Sequence, residues 1–420
     1  MFSLANIRVG WYLAVRQIRR ASLYTTGLIV FVMLLTFLNL VVVTGLLVGI
    51  VVGIGNQFKS QETGDVVLSP LDTKDYIVET PEVLAFVQGL PGVEHIAARY
   101  LTGGTIEANY LTNTGPNTVA NETGAQIEGI DPSAENAFSG LARYVKEGSY
   151  FSPGDYDAVI LGPQLIDRYS FGKQPGLTPL ENVYPGTKIR LTVGGATRDV
   201  VVKGILNVPA NSPLAARVFM PAPEVRALMQ RDDQNVTEIG IELAPGADAA
   251  AFRDLLLRSG VGADAKVETF ADAIPSGVQE IQDTFGAIGN AVGSVGLVVA
   301  GITIFIVIFI NAVTRRKFIG IAKGIGIAGG AIELSYVFQS LFYAAIGSSI
   351  GLLILYGFLV PYIDAHPIVL PISNAIIVAP VLGTLERVAL LVGATVIAGY
   401  LPARIIVRKN TLDSILGRNT

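Results

Sequence analysis

The stretch "RRKFIGIAKGIGIAGG", residues 315–330, sets Gly324, Gly326 and Gly329 in a G-x-G-x-x-G pattern beside Arg315, Arg316, Lys317 and Lys323. Such a pattern can cradle a dinucleotide pyrophosphate, because glycines let the backbone approach the phosphates and a helix N-terminus supplies N–H donors. That chemistry needs a strand before the first glycine and an acidic residue ~20 positions further on. Here a long apolar run precedes the glycines, and the middle of another apolar run, without an acid, lies at that distance. No G-x-x-x-x-G-K-[ST] occurs either, so nucleotide binding by this chain is not expected. Other site chemistry has little material. Cysteine is absent, which excludes disulfides and thiol chemistry, and the two histidines, His95 and His366, are far apart. No paired carboxylates, nucleophile–base sets or metal-ligand spacings stand out, so no catalytic, cofactor or metal residue is assigned.

The cations therefore need another explanation, and the elements around them supply it. Of 420 residues, 51% are hydrophobic and only 15% charged, with a mean hydropathy of +0.52. Soluble domains carry roughly 25% charged residues. The deficit sits in four apolar runs, at 27–55, 288–312, 332–360 and 376–401. A spanning helix needs about 20 such residues, so each is long enough. The first exceeds the ~7–15 residues of a cleavable signal's apolar region and reads as a retained anchor. In the fourth, Pro380, Glu386 and Arg387 interrupt, which places the span at 382–401 and the charged pair at its outer end.

Orientation follows from charge. Arg8, Arg16, Arg19 and Arg20 precede the first span, the 315–323 cations separate the second from the third, and Arg404, Arg408, Lys409 and Arg418 follow the fourth. All lie on one side of a four-span topology, which the positive-inside rule makes cytoplasmic. Both termini are then cytoplasmic, in a multi-pass plasma-membrane protein. Residues 55–287 hold 17 Lys+Arg against 30 Asp+Glu, a net −13, while the rest holds 13 against 4, a net +9, summing to −4. The acidic block is placed outside, and its sign argues against nucleic-acid partners.

The expected fold class is thus a membrane protein with four transmembrane α-helices and a large α+β extracytoplasmic domain between helices 1 and 2. Its expected parts are a cytoplasmic interfacial helix (1–22), a first span (23–54), the outer domain (55–287), a second span (288–312), a connector (313–331), a third span (332–360), an outer loop (361–381), a fourth span (382–401) and a tail (402–420). Leu4, Ile7, Trp11, Val15 and Ile18 form one helical stripe, suited to the bilayer interface or to docking on protein. In the outer domain two β-α-β orders, around "PEVLAFVQGL" and "ADAAAFRDLLLRSG", suggest a ferredoxin-like subdomain. Alternation through Ile189, Leu191 and Val193, then Gly194-Gly195, then Val200 and Val202 predicts a hairpin. Residues ~110–215 read as a second, strand-rich subdomain inserted in the first, with "NYLTNTGPNTVANETGA" as a loop. After Pro275, the stripe Val278, Ile281, Phe285 and Ile288 predicts an amphipathic stalk leading into span two and packing on the outer extension of span one. Gly45, Gly49 and Gly53, four apart, would allow close approach of a neighbouring span or a dimer mate. Ser335 and Gln339 are expected to hydrogen-bond another helix.

The connector remains. Ile319, Ala322, Ile325 and Ala328 recur at helical spacing, and a mostly apolar cytoplasmic connector is unfavourable unless a partner or the bilayer buries it. Gly320, Gly324 and Gly326 weaken such a helix by ~1 kcal/mol each against alanine, so it should be ordered mainly when docked. In this setting "AVRQIRRASLYTTGLIVFVMLL", "EGIDPSAENAF", "LARYVKEGSYFSPGDYDAVILGPQLIDRY", "TRRKFIGIAKGIGIAGGAI" and "GYLPARIIVRKNTLDSIL", in this order, resemble the permease subunits of MacB/FtsX-type ABC transporters over nearly the full length. The resemblance implies a dimer, of identical or different permeases, on two separate ATPase subunits that hold ATP and Mg. It also implies a coupling helix that seats on the ATPase, carried by Arg315, Arg316, Lys317, Phe318, Ile319, Ala322, Lys323 and Ile325. Phe318 departs from the family, which usually has an acid there. The implied activity is conversion of a partner's ATP hydrolysis into outer-domain motion, for export or extraction of a hydrophobic or peptide-like substrate. The alternative is a mechanotransmitting scaffold that regulates an extracytoplasmic enzyme or adaptor without transport.

Overall fold

The structure is a computed structural model and describes residues 4–111, 120–170, 178–210, 212–274, 276–366, 368–369 and 374–408. Helix α1 (Leu4–Arg19) precedes a continuous helix made of α2 (Leu23–Leu38), a π-helical turn (Asn39–Val43), α3 (Thr44–Phe58) and a second π-helical turn (Lys59–Thr63). Then come β1 (Val66–Ser69), α4 (Thr80–Gln88), β2 (Val93–Ala108), β3 (Asn121–Ile130), α5 (Pro132–Ser139), β4 (Val145–Gly148), β5 (Ala158–Leu161), β6 (Lys188–Val193), β7 (Ala196–Leu206), β8 (Arg217–Pro221), α6 (Ala222–Leu228), β9 (Glu238–Leu243), α7 (Ala249–Arg258), β10 (Lys266–Thr269) and the short α8 (Phe270–Ala273). The chain continues through α9 (Ser276–Thr314), α10 (Arg316–Gly324), α11 (Gly329–Ile354), a third π-helical turn (Leu355–Leu359), α12 (Val360–Ala365), a short ladder of β11 (Ile368–Val369) and β12 (Asn374–Ala375), and α13 (Val381–Val407). Two units result: Met1–Val51 with Ile281–Ile368 and Ala375–Thr420, and Val52–Glu280 with Val369–Asn374.

The first unit is helical. Among the described residues, four helices are long and apolar enough to cross a membrane: Thr26–Thr63, Asp283–Thr314, Gly329–Ala365 and Val381–Val407. Helices satisfy every backbone group within the segment, which hydrocarbon demands. All four run past the bounds expected from apolarity, the third only by a few residues at each end. The first reaches Thr63 rather than 54, the second begins at Ser276 rather than 288, and the fourth continues through Pro402 to Val407. Apolarity marks the bilayer, whereas helix ends depend on capping and packing. Met33, Phe37, Ile308, Tyr336, Tyr343 and Leu391 are in its core.

The second unit is built on one sheet, in the order β10-β1-β9-β2-β3-β8-β5-β7-β4, with β6 pairing β2 and β7. Strands β10, β1, β9 and β2 pair antiparallel, with α4 between β1 and β2 and α7 between β9 and β10. That is the ferredoxin-like order. The strand-rich remainder enters the chain between β2 and β9 and shares their sheet. The 16-residue β2 pairs β9 through Val93–Arg99 and β3 through Tyr100–Ala108, so one strand carries both lobes. Burial along β2 changes phase between the lobes: Ala97 and Arg99 are buried in the first part, and Tyr100, Ile106 and Ala108 in the second. Hairpin β6–β7 turns at Gly194 and Gly195, whose φ of +55° and +88° suit a two-residue turn. The expected loop at 109–125 falls at 112–119 outside the described residues, and from Asn121 onward the chain is already strand, paired to Ala108.

Candidate functional site

Helix α10 is shorter than the expected 318–331 segment. It ends at Gly324, and α11 begins at Gly329. The terminus is a Schellman closure: Ile327 N–H donates to Ala322 C=O at 3.0 Å and Gly326 N–H to Lys323 C=O at 3.0 Å. Gly326 has φ +93°, a conformation glycine adopts without strain. The G-x-G-x-x-G pattern thus contains a helix C-cap, preceded by helices rather than a strand.

This early end rearranges the expected apolar stripe. Ile319 is 6% exposed and belongs to the helical core, and Ala322 packs against that core. The outward apolar face is Phe318, Ile321 and Ile325, at 72%, 52% and 75% exposure. Steps of three and four residues put these side chains on one side. Of the flanking cations, Lys317 is exposed, Arg315 and Arg316 are half-buried, and Lys323 Nζ donates to Val407 C=O at 2.9 Å, tying the connector to the end of α13. Lys323 therefore braces the connector as well as charging it.

The small-residue expectations change too. Gly45 and Gly49 admit an extended segment rather than a helix. A Cβ on Gly49 would fall 1.7 Å from Ile376 C=O, and Val378 N–H donates to Gly45 C=O at 3.1 Å. Gly53 is buried in the second unit. Close helix approach falls instead on Gly347 and Gly351 of α11, where a Cβ would meet Met33 Cβ at 2.5 Å and the Phe37 ring at 2.2 Å. Of the stalk stripe, the side chains of Val278 and Ile281 lie outside the described residues, as does Pro275. Phe285 is half-buried, but Ile288 is 45% exposed. The α9 face turned toward span one is Gly289, Gly293 and Gly296, near Leu47, Thr44 and Asn39. Without side chains, these glycines let the helices approach where Ile288 would hold them apart. Gln339 Nε2 donates to Gln17 Oε1 of α1 at 2.6 Å, while the Ser335 hydroxyl bonds back to Ile332 C=O within its own helix. Helix α1 itself docks on α11 through Gly10 and Trp11, whose ring meets Phe338 edge-on at 5.4 Å, while Trp11 and Tyr12 stay largely exposed.

A second constellation, in the second unit, has no counterpart in the sequence reading. Arg99 in β2 is fully buried and uses all five of its donors. Nε and Nη2 fork onto Glu135 at 2.8 and 2.9 Å, Nη1 donates to Glu238 at 2.9 Å and to Glu62 C=O, and Nη2 donates to Gln61 C=O at 3.3 Å. Arg217 in β8 donates to Glu128 at 2.9 Å and to the Glu62 carboxylate. The Ser212 hydroxyl donates to Gln61 Oε1 at 2.7 Å. Gln61 and Glu62 lie in the π-helical turn that ends the long first helix, so two arginines from two strands grip that helix's last turn. A left-handed Gly64 (φ +70°) then turns the chain tightly past Ile241.

Four carboxylates face two guanidiniums. Burial pushes the Glu128 carboxyl up to about 7, against the pull of Arg217 and Arg99. Burial likewise raises Glu238, against Arg99. Burial alone would depress Arg99 and Arg217, yet Glu135 and Glu128 hold Arg99, and Glu128 and Glu62 hold Arg217, above the ordinary arginine range. The arginines thus stay charged, and burial favours the protonated form of Glu128 and of Glu238. A readable signal existed: "IAARY", "QIEGI" and "ARVFM" each place a charge inside an apolar strand run, where only a paired charge is tolerated. Among the described residues, no cluster of three or more His, Cys, Asp or Glu could hold a metal.

Comparison with known proteins places this architecture. Residues 26–258 match the family model for the MacB-like periplasmic core domain, and residues 290–411 that for the FtsX-like permease C-terminal region. The chain belongs to the MacB/FtsX type of ABC transporter permease, a family of transporter permeases rather than of catalytic enzymes. It is 26% identical over 159 residues to the macrolide export ATP-binding/permease protein MacB of Hyphomonas neptunium (strain ATCC 15444), a match spanning 37% of this chain and 23% of that protein. The periplasmic region of MacB from Actinobacillus actinomycetemcomitans is similar with 12% identity and a TM-score of 0.36, covering 51% of this chain and 92% of that one. The extracellular domain of the noncanonical ABC-type transporter YknZ from Gram-positive bacteria is similar with 18% identity and a TM-score of 0.31, covering 49% and 98%.

Proposed function

We propose that this permease couples ATP hydrolysis by a separate ATPase subunit to movement of its outer unit, for export or extraction of a hydrophobic or peptide-like substrate. The observation that carries the reading is the outward face of α10: three large apolar side chains, exposed and flanked by Arg316 and Lys317. Such a face is stable in water only when another protein covers it. On this reading α10 lies on the cytoplasmic side and seats on the ATPase, which holds ATP and Mg, and two permeases assemble on two ATPases. Displacement of α10 moves α9 and the long first helix, whose last turn Arg99 and Arg217 grip. On the outer unit a cleft of about 690 Å³ sets aromatic walls from Tyr100, Tyr150 and Phe151 beside the charged Arg226, Asp131 and Asp155, a mixture that supports a peptide-like substrate.

The test is co-expression of the full chain with its candidate ATPase and retention on affinity purification. Phe318→Asp with Ile325→Asp should reduce retention by at least tenfold, since two desolvated anchors typically contribute more than 1.4 kcal/mol together, while the permease's thermal unfolding stays unchanged. Equal retention with and without the pair of substitutions would sink the reading.

A further inference from the structure

The first unit contains a cavity of about 420 Å³ where α1, α10 and α11 meet. Arg16 and Arg20 from the end of α1 and its following turn line it, as do Arg315 beside α10 and Tyr336 of α11. Leu13, Phe318 and Ile332 make an apolar wall, and no carboxylate is among the lining residues. Tyr336 is 1% exposed, and no protein group hydrogen-bonds to its buried hydroxyl. A buried hydroxyl without a partner is costly, so its persistence beside three guanidiniums points to an acceptor supplied from outside the chain.

We infer that this cavity binds an anionic phospholipid from the surrounding bilayer, its phosphate held by Arg16, Arg20, Arg315 and the Tyr336 hydroxyl and its acyl chain laid against the apolar wall. Three features select that ligand. Guanidiniums fork onto phosphate oxygens, and a phenol completes the acceptor set. A soluble anion would use the cations but leave the apolar wall wet, whereas a lipid covers both. The cavity also lies at the cation-rich end of the spanning bundle, the depth at which headgroups sit, and basic pockets between spanning helices commonly take phosphate headgroups. The inference needs neither an ATPase nor a particular side of the membrane: Arg315 and Phe318 border the coupling face as well, but Arg16, Arg20 and Tyr336, which the test changes, lie outside it.

The test uses the full chain purified from mixed phosphatidylcholine–phosphatidylglycerol nanodiscs, with retained lipid counted by native mass spectrometry. Wild type should retain phosphatidylglycerol in preference to phosphatidylcholine. Arg16→Gln with Arg20→Gln should lower that preference by on the order of fivefold per arginine, the factor that about 1 kcal/mol for each basic residue implies. Tyr336→Phe removes only the oxygen and should also lower it, which keeps the test decisive should the double variant fold poorly. Arg8→Gln with Arg19→Gln, on the same helix but outside the cavity, should leave it intact. Equal losses in the two double variants would reduce the effect to general surface charge and overturn the inference. So would displacement of the lipid by inorganic phosphate, which would assign the site to a soluble anion, or an unchanged preference in Tyr336→Phe.

Discussion

Two regions of this permease handle charge and apolar surface in opposite ways. Around α10 the charges are cationic, exposed at Lys317 and half-buried at Arg315, Arg316 and Lys323, and large apolar side chains stand exposed among them. Around Arg99 and Arg217 the excess is acidic, everything is buried, and the arginines' donors are directed onto protein acceptors. On the proposed reading the first arrangement is completed by another molecule. The second binds both guanidiniums within the chain and resists change, because each charge is tolerated only for its partners. A region built to engage and release a partner must leave affinity unspent, whereas a region built to hold a helix end must not.

That contrast breaks most visibly at Arg99. Arg99→Met leaves Glu135 and Glu238 buried without their cation, and breaking a buried pair from one side costs roughly 3–5 kcal/mol. We expect the full chain to unfold at markedly lower temperature and to become protease-sensitive within residues 52–280, with the helical unit retained. A stable Arg99→Met protein would mean that the grip on Gln61 and Glu62 is dispensable. The helical unit has its own tight contact. Gly347→Ala would set a methyl 2.5 Å from Met33 Cβ and 3.1 Å from the Leu34 nitrogen, so it should destabilise by about 1–3 kcal/mol, read as detergent-resistant thermal unfolding. Gly301→Ala, which meets nothing within 4 Å, should be silent.

Glu128 sharpens the same comparison through pH. Its folded-state carboxyl titrates near 7, well above an unfolded carboxyl near 4.5. Between these values the folded chain holds a proton that the unfolded chain releases, so stability should fall as pH rises from about 5 to about 8. Glu128→Gln should flatten that slope while keeping a hydrogen-bond acceptor toward Arg217. Thermal unfolding across this range checks it, and an equal slope in both proteins would place the titration elsewhere. No comparable slope is expected to arise from α10, whose residues include no carboxylate or histidine.

How much of this was legible follows the same divide. Spanning helices and the ferredoxin-like strand order are written in periodicity, which is local, so hydropathy and alternation reveal them. The apolar face of α10 was misjudged because helical spacing was extended through Ile325 and Ala328, beyond a glycine whose positive φ ends the helix. Gly326 was in view, but its role depends on whether Ile327 and Ala322 meet. Gly45 and Gly49 were recognised as sites of close approach while the segment that approaches, around Ile376, was not, since the separation is more than 300 residues. The Arg99 cluster joins positions 62, 99, 128, 135, 217 and 238, and no spacing rule connects them. Charges set within the apolar runs "IAARY", "QIEGI" and "ARVFM" mark three of its members but not which of them meet.

The smallest effect tests whether α10 is as loosely held as its exposure implies. Gly326→Ala forces a β-carbon into the left-handed region at φ +93°, which costs about 1–2 kcal/mol. The connector's own stability is small. Only nine residues are helical, and the outward face gains nothing from burial in the free permease. A loss of that size should therefore appear locally, as faster hydrogen exchange at Ile325 and Ile327, the amides of the closing turn, while the amides of β2 and β9 remain protected. Retention of the ATPase should fall by a few-fold rather than be abolished, because the partner can reimpose the turn. If exchange in the free wild-type connector is already as slow as in β2, α10 is ordered without a partner, and the contrast between an unfinished region and a finished one no longer holds.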